Sequence, residues 1–221
     1  QLKRLENIVQ TRISKNFPIQ YIIGEAYFMG EYFKVTPEVL IPRDETEILV
    51  NKAIEIIIKH KFSSVLDIGT GSGCIACTIA KQTNATVLGV DISSDALRIA
   101  LDNVTKLNIN NHAVFRKSDL FSKVRSDEKF DVIVSNPPYI PHNTELEKEV
   151  LAEPHIALFA DDNGLYFYKK IIAEAPNYLN SKGYLMFELG INEAKSVKQI
   201  MQKYFENIEI FKDLANIERV I

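Results

Sequence analysis

The order of apolar and helical segments constrains the fold of this chain more than any other feature. From Ser63 onward, short apolar runs (SVLDI, TVLGVD, FDVIVSN and GYLMFELG) alternate with segments of helical periodicity at 75–81, 94–107, 165–179 and 194–205. Alternation of this kind predicts parallel strands joined by crossover helices. The runs are continuously apolar, which indicates that helices cover both faces of the sheet. We therefore predict an α/β, Rossmann-like fold.

The two ends of the chain follow other patterns. QYIIGEAYFMGEYFKV, rich in aromatic and β-branched residues, predicts a β-hairpin, and a helical pattern precedes it. In the following PRDETE, Asp44, Thr46 and Glu47 are typical of a helix start. The closing IEIFKDLANIERVI holds two strand-like runs with no helix between them, which predicts an antiparallel pair at the edge of the sheet.

Composition excludes several classes of protein. The 221 residues, 46% of them hydrophobic, suit one main domain, and a net charge of -3 disfavours binding to nucleic-acid phosphates as the main activity. No apolar run approaches the ~20 residues that span a bilayer, and no secretory signal opens the chain, so we expect a cytoplasmic protein without a membrane partner. The one CxxC pair, Cys74 and Cys77, has no second pair, and the histidines lack ligand spacing, so we expect no metal site.

A glycine-rich turn between a predicted strand and a predicted helix is the first candidate site. VLDIGTGSGCIA carries Gly69, Gly71 and Gly73, whose backbone can turn sharply and approach a ligand closely. The spacing is GxGxG and differs from the GxGxxG of the dinucleotide fingerprint. Taken alone, the loop is a weak signal, because a tight strand-to-helix turn without a ligand gives the same pattern.

Two acidic residues at later strand ends strengthen the case for a nucleoside ligand. Asp91 ends the next strand, where a carboxylate can accept both hydroxyls of a ribose, and Asp119 follows the strand after that. Each has a plain alternative: Asp91 as a helix cap and Asp119 as a turn residue. NAD and S-adenosylmethionine both contain a ribose and an adenine, so these residues leave the choice between them open.

The segment NPPY, directly after the FDVIVS run, supplies rigid hydrogen-bond acceptors. Pro137 and Pro138 fix the backbone so that nearby carbonyls keep one direction, Asn136 adds an amide oxygen, and Tyr139 adds a flat ring. Such a set suits a planar substrate with an –NH₂ group, either a carboxamide or an adenine-like amine. The alternative is a strand end stopped by prolines, with Asn136 in a turn.

The sequence resembles the class I S-adenosylmethionine-dependent methyltransferases and, among them, the release-factor glutamine methyltransferases (the HemK or PrmC family). The resemblance rests on YIIGEAYFMGEYFKVTPEVLIPRDETEILV, DIGTGSG, SNPPYIP, AEPHIALFADDNGLYFY and DLANIERVI. NPPY is shared with adenine-specific DNA methyltransferases, whereas PRDETE and AEPHIAL are more specific to the glutamine enzymes. Four positions depart from the family pattern: Asp44, where Pro is usual, Cys74 and Cys77, where small or apolar residues are usual, and Leu120, where an aromatic residue is sometimes found.

The resemblance implies a seven-stranded, mostly parallel sheet with an antiparallel C-terminal strand. It also implies three parts: 1–16 as the last helix of an N-terminal helical domain, 17–43 as a linker with the β-hairpin, and 44–221 as the methyltransferase domain. The implied activity is methyl transfer from S-adenosylmethionine to the glutamine amide of the Gly-Gly-Gln loop in peptide chain release factors. The alternatives are methylation of adenine in nucleic acid and a cofactor-binding module that docks on release factors without turnover.

Site roles implied by the resemblance fall into two sets. The substrate glutamine would be held by Asn136, Pro137, Pro138 and Tyr139, with Asn136, Pro137 and Tyr139 as the catalytic residues, and Arg43 would approach the cofactor or the substrate. The cofactor, S-adenosylmethionine before and S-adenosylhomocysteine after the reaction, would be bound by Asp67, Gly69, Thr70, Gly71, Ser72, Gly73, Asp91, Asp119, Leu120 and Asn136.

Overall fold

The structure is a computed structural model that describes residues 9–10, 12 and 16–221. The helix predicted over 1–16 falls largely outside these residues. The described elements, in chain order, are α1 Ile19–Ile23, β1 Glu25–Phe28, β2 Glu31–Lys34, α2 Thr46–His60, β3 Ser64–Ile68, α3 Cys74–Gln82, β4 Thr86–Asp91, α4 Ser94–Leu107, β5 Ala113–Lys117, β6 Phe130–Ser135, β7 Ile140–Pro141, α5 His155–Leu158, β8 Phe159–Ala160, α6 Tyr166–Glu174, β9 Leu179–Phe187, α7 Ala194–Met201, β10 Phe211–Lys212 and β11 Glu218–Val220.

The centre of the fold is a sheet of five parallel strands in the order β5-β4-β3-β6-β9. Successive residues of β3 pack on opposite faces of the sheet. Val65 packs in the apolar cluster that includes residues of α2 and α3, and Leu66 packs in the cluster that includes residues of α6 and α7. Both faces of the strands are therefore covered, as the continuous apolar runs predicted.

The C-terminal strands β10 and β11 form a separate two-stranded sheet that adjoins strand β9. Strands β10 and β11 pair antiparallel, and an antiparallel bridge joins Glu188, just past β9, to Val220 in β11. The Phe187 and Ile221 amides each donate to the other residue's carbonyl, at 2.8 and 3.1 Å. The mostly parallel sheet and the antiparallel pairing at the C-terminus are confirmed, with five strands in the parallel sheet and two in the C-terminal pair.

The β-hairpin is confirmed, but it is shorter than the sequence predicted. Strands β1 and β2 pair antiparallel across a turn at Met29 and Gly30, both of which have positive φ (50° and 88°). The residues before Gly24, which we expected to belong to the hairpin, form helix α1 instead. Gly24, at φ 90°, ends that helix by donating its amide to the Gln20 carbonyl at 2.7 Å.

Hydrogen bonds tie the hairpin to the rest of the domain. The Lys34 amide donates to Asn103 Oδ1 at 2.7 Å, and Asn103 Nδ2 donates to the carbonyls of Lys34 and Ser72 at 3.0 and 2.9 Å. At the other end of the hairpin, the Met29 amide donates to Glu47 Oε1 at 2.8 Å. The hairpin is thus anchored both to the glycine loop and to the start of α2.

The crossover helices lie where the sequence predicted them, with small changes at their ends. Helix α4 spans the predicted 94–107 unchanged, whereas α6 ends at Glu174 and continues as a short 3-10 turn that contains Pro176. In the part of the chain that the structure describes, no helix has the length and apolar character needed to cross a membrane.

Candidate active site

A cleft opens at the carboxyl ends of the parallel strands, where the sequence analysis expected a ligand. Its walls also include apolar side chains from α5 and α6, such as Ile156 and Phe167. Eight of the predicted site residues line it: Gly69, Gly71, Asp91, Asp119, Leu120, Asn136, Pro137 and Pro138. The fold therefore brings together the three separate motifs that the sequence singled out.

The glycine loop turns back over the end of strand β4. The amides of Gly69 and Thr70 both donate to the Val90 carbonyl, at 2.9 and 3.0 Å. Gly69, Gly71 and Gly73 all have positive φ (74°, 54° and 79°), a conformation that side-chain-bearing residues rarely adopt. The loop can thus bring its backbone to the cleft with no side chain in the way.

Asp67 lies beneath this loop. It is fully buried, and the Thr70 hydroxyl donates to its Oδ2 at 2.6 Å. Its Oδ1 has no hydrogen-bond partner among the described residues. The pKa of the Asp67 carboxyl is raised to about 7, mainly by burial and also by the nearby charge of Asp91, against the opposing effects of the hydrogen bond from Thr70 and of the nearby Ala76 amide. Asp67 therefore supports the loop from below, and its contact with a cofactor stays a prediction.

Thr70, Ser72 and Gly73 are likewise set back from the cleft. The side chains of Thr70 and Ser72 are buried, and the Ser72 carbonyl accepts the bond from Asn103. These residues shape the loop, and direct contact between them and a ligand stays a prediction.

Asp91 lies on the cleft wall at the end of β4. Its Oδ2 accepts the Gly71 amide and its Oδ1 accepts the Ser93 amide, both at 2.9 Å. Each carboxylate oxygen has a further lone pair with which to accept a ligand hydroxyl. The helix-cap alternative does not hold, because Ser93 caps α4 by accepting the Ala96 amide at 3.2 Å. Burial raises the pKa of Asp91.

The next part of the wall comes from the turn after β5. Asp119 is exposed, and its amide donates to Ser122 Oγ at 3.1 Å. Its backbone is therefore part of a turn, while the residue also lines the cleft. Leu120 beside it and Ile92 from the turn after β4 give the same part of the cleft an apolar surface. An exposed carboxylate next to aliphatic side chains suits a flat ring that carries an amino group.

NPPY follows strand β6, and its first three residues line the cleft. Asn136 Nδ2 donates to Thr46 Oγ1 at 3.3 Å, and Thr46 Oγ1 donates to Glu188 Oε2 at 2.5 Å. Within residues 16–221, neither Asn136 Oδ1 nor the Pro137 carbonyl accepts a hydrogen bond from another residue. Asn136 Oδ1 and the Pro137 carbonyl therefore both keep their capacity to accept a hydrogen bond from an –NH₂ group.

Tyr139 and Arg43 stand apart from the cleft wall. The Tyr139 ring lies against Gly190, where an added Cβ would be 2.9 Å from Cδ2, and burial raises the Tyr139 pKa. Arg43 forms an ion pair with the buried Glu153, which also accepts the Ile41 amide at 3.0 Å. Substrate contact by Tyr139 or Arg43 stays a prediction.

Comparison with known proteins agrees with this geometry. Residues 59–218 match the family model described as a methyltransferase domain. The release factor glutamine methyltransferase of Fusobacterium nucleatum is 40% identical over 99% of this chain and 63% of its own length. That of Streptococcus pneumoniae is 39% identical over 98% of this chain and 78% of its own length.

The chain belongs to the release factor glutamine methyltransferase family. The fold agrees with solved structures outside this family as well. A methyltransferase from Pyrococcus furiosus superposes with a TM-score of 0.63 at 19% identity, covering 99% of this chain and 95% of that one. A likeness at that identity supports the Rossmann-like methyltransferase fold alone.

Three polar residues near the cleft of this family member were not singled out from the sequence: Thr46, Glu153 and Glu188. Thr46 was read only as part of a helix start, yet its side chain caps nothing and bonds to Glu188 and Asn136. Glu153 and Glu188 are both almost fully buried, at 4% and 2% exposure. A glutamate within an otherwise apolar strand end, as in the LMFELG segment, is the one signal that could have marked Glu188.

Proposed function

We propose that this methyltransferase transfers a methyl group from S-adenosylmethionine to the side-chain amide nitrogen of the glutamine in the Gly-Gly-Gln motif of peptide chain release factors. The observation that carries the proposal is that Asn136 and Pro137, with free acceptors at Asn136 Oδ1 and the Pro137 carbonyl, line the same cleft as Asp91 and the glycine loop. The names of the relatives support the choice of release factors as substrates. Since release factors act in translation, we expect the reaction to take place in the cytoplasm.

The cleft fits the proposed cofactor. Asp91 would offer its carboxylate oxygens to the ribose hydroxyls, the loop at Gly69 and Gly71 would let the amino-acid part approach the backbone, and Leu120 with Asp119 would flank the adenine. These residues all line the cleft. When bound, S-adenosylmethionine supplies a methyl carbon made electrophilic by the adjacent sulfonium.

The chemistry asked of the protein is to position a poor nucleophile. The lone pair of a carboxamide nitrogen is delocalised into the carbonyl, so the nitrogen must lose planarity as it attacks. Asn136 Oδ1 and the Pro137 carbonyl would each accept a hydrogen bond from one of its two N–H groups and hold the nitrogen in line with the methyl carbon. The nitrogen gains the methyl group as the methyl–sulfur bond breaks, and it releases one of its two protons. Pro137 and Pro138 restrict the backbone there, so the acceptors need little reorganisation when the bond forms.

The proposal is tested by methyl transfer from labelled S-adenosylmethionine, followed by mass spectrometry. A release factor, its loop variant with Gln changed to Ala, free glutamine and adenine-containing oligonucleotides are offered under one set of conditions. We expect the intact release factor to be methylated once, at the loop glutamine, and free glutamine to react poorly because the rest of the factor supplies the binding energy. Methylated adenine, or equal labelling of the Gln→Ala factor, would refute the assignment.

An Asn136→Ala variant adds a test of the role of this residue. It should keep its fold and most of its cofactor affinity but lose turnover by about a hundredfold, the effect expected when a positioned group is misplaced by ~1 Å. Turnover within a few fold of the wild type would mean that Asn136 does not hold the amide.

A further inference from the structure

A buried polar chain leads from strand β9 to Asn136. Glu188, directly after β9, is 2% exposed and accepts the Thr46 hydroxyl at 2.5 Å, and Thr46 Oγ1 in turn accepts Asn136 Nδ2 at 3.3 Å. The Glu188 amide donates to the Ser135 carbonyl at 3.1 Å, which holds Glu188 beside the strand that ends at Asn136. Neither Thr46 nor Glu188 lines the cleft, so any part they take in the reaction passes through Asn136.

The direction of these hydrogen bonds determines which end of the Asn136 amide faces away from Thr46. A threonine hydroxyl has one hydrogen, and an ionised carboxylate can only accept. When Glu188 is ionised, the Thr46 hydrogen is committed to it, and Thr46 presents only a lone pair to Asn136. The donor end of the amide, Nδ2, therefore points at Thr46, and the acceptor end, Oδ1, is left for the substrate.

The opposite orientation of Asn136 would defeat the proposed reaction. The two ends of an amide are alike in size, so packing alone distinguishes them poorly. Rotated by half a turn, Asn136 would offer –NH₂ hydrogens to the –NH₂ group of a substrate, and no acceptor would hold the nitrogen. A device that selects one orientation is thus needed at this position.

Stability alone is a poor reason for a carboxylate at position 188. Burying a carboxylate costs free energy, and replacing buried ionic groups by apolar ones of similar volume is often neutral or stabilising. Among the nearby charges, Glu45 disfavours ionisation of Glu188, and Arg219 and Arg43 favour it. None of the described residues forms an ion pair with Glu188. Burial of Glu188 therefore costs free energy of folding. A role in orienting Asn136 explains why a carboxylate is present there.

We propose that Glu188 and Thr46 are positioning residues that select the orientation of the Asn136 amide with Oδ1 toward the substrate. The inference rests on the proposed function, since it concerns the amide acceptor of that reaction. Thr46→Val removes the hydroxyl at nearly constant volume, Thr46→Ser keeps it, and Glu188→Leu breaks the chain at its other end.

Burial raises the pKa of Glu188 to about 7, so Glu188 is ionised in mildly alkaline buffer. In that buffer the experiment measures kcat, KM for a release factor and affinity for S-adenosylmethionine. We expect Thr46→Val and Glu188→Leu each to lower kcat about tenfold to a hundredfold, with both binding constants nearly unchanged and with Thr46→Ser close to the wild type. In an Asn136→Ala background, Thr46→Val should add no further loss. Two variants that break one chain keep the test valid if either fails to fold.

The outcomes separate this inference from the proposed function. A wild type that does not methylate the release factor refutes the function itself. If the wild type is active, three results overturn the inference alone: Thr46→Val with unchanged kcat, Thr46→Ser as slow as Thr46→Val, or a further loss from Thr46→Val when Asn136 is already Ala.

Discussion

Asp91 is the residue on which cofactor affinity should depend most. It accepts the Gly71 amide of the glycine loop and the Ser93 amide before α4, and its remaining lone pairs can accept from a ligand, so its loss affects both the ligand and the loop. We expect Asp91→Ala to weaken binding of S-adenosylmethionine by more than a tenfold factor, because a hydrogen bond to a charged group contributes ~1.5 to 3 kcal/mol. Calorimetry measures this directly.

Asp95→Ala is the matched control for that measurement. Asp95 lies four residues further along, in the first turn of α4, where it forms an exposed ion pair with Arg98 at 3.3 Å. Its replacement should leave cofactor affinity unchanged. Equal affinities for Asp91→Ala and the wild type would remove Asp91 from the site.

Asp67 should make the stability of the domain depend on pH. Folding raises its pKa to about 7 from an ordinary value near 4, so between these values the folded state binds more protons than the unfolded state. The stabilisation from Asp67 is therefore fully present in acid and is lost as the pH rises through 7.

Asp67→Asn tests this by removing the titrating group. The free energy of unfolding of the wild type, measured relative to that of Asp67→Asn, should fall by ~1.4 kcal/mol for each pH unit across this window. Urea unfolding without cofactor, at several pH values between 4 and 7, gives the difference. Asp127→Asn, an exposed aspartate in the turn before β6, serves as the control. A difference that does not change with pH would contradict the predicted burial of the charge.

At the scale of elements, the PRDETE segment joins the hairpin, the cleft and the sheet. Arg43 pairs with Glu153, Thr46 bonds to Glu188, and Glu47 accepts the Met29 amide at the hairpin turn. Glu45 adds a longer contact to Arg219 of β11, 3.8 Å away. A stretch that reads locally as a helix start is thus the place where three distant parts of the chain meet.

Glu47→Ala should loosen the hairpin. It removes the acceptor of the Met29 amide, and such a bond contributes ~1 kcal/mol to stability. We expect a loss of that size in urea unfolding and faster exchange of the Met29 amide, with Glu47→Gln largely restoring both because its carbonyl also accepts. Glu55→Ala on the exposed side of the same helix is the control. An unchanged Met29 exchange rate in Glu47→Ala would show that this bond does not hold the turn.

The elements of this fold were largely predictable, because each strand and crossover helix has its own local periodicity. Helix α4 matches its predicted span, and the strand run FDVIVS coincides with β6. Helix α1 was missed because its five residues are too few for a helical period to stand out beside aromatic and β-branched neighbours. The residues of the glycine loop, Asp91 and NPPY were found because each motif is contiguous in sequence.

The polar contacts behind the cleft were not predictable in this way. Thr46 and Glu188 are separated by 142 positions, and Thr46 and Asn136 by 90. Neither pair has a periodicity or spacing that marks it, and only the register of β6 against β9 brings Glu188 next to Asn136. The set-back positions of Asp67, Thr70 and Ser72 likewise depend on how the loop folds over β4.

At the scale of the whole molecule, the residues that line the cleft follow the carboxyl ends of the parallel strands, and the hairpin lies outside this sheet. Asn103, on α4, connects these two parts by bonding to Lys34 of β2 and to Ser72 of the glycine loop. Its side chain is fully buried, so the three bonds form and break together with the local packing.

Through this shared amide, we expect the hairpin to respond to a ligand bound at the glycine loop. A ligand that orders the glycine loop lowers the frequency with which Asn103 is released, and the Lys34 amide, bonded to Asn103 Oδ1, is then released less often as well. In hydrogen–deuterium exchange, we expect saturating S-adenosylmethionine to slow the Lys34 amide while leaving Met29, held by Glu47, unaffected. Asn103→Ala should abolish that response, and a response that survives it would mean that the hairpin senses the cofactor by another route.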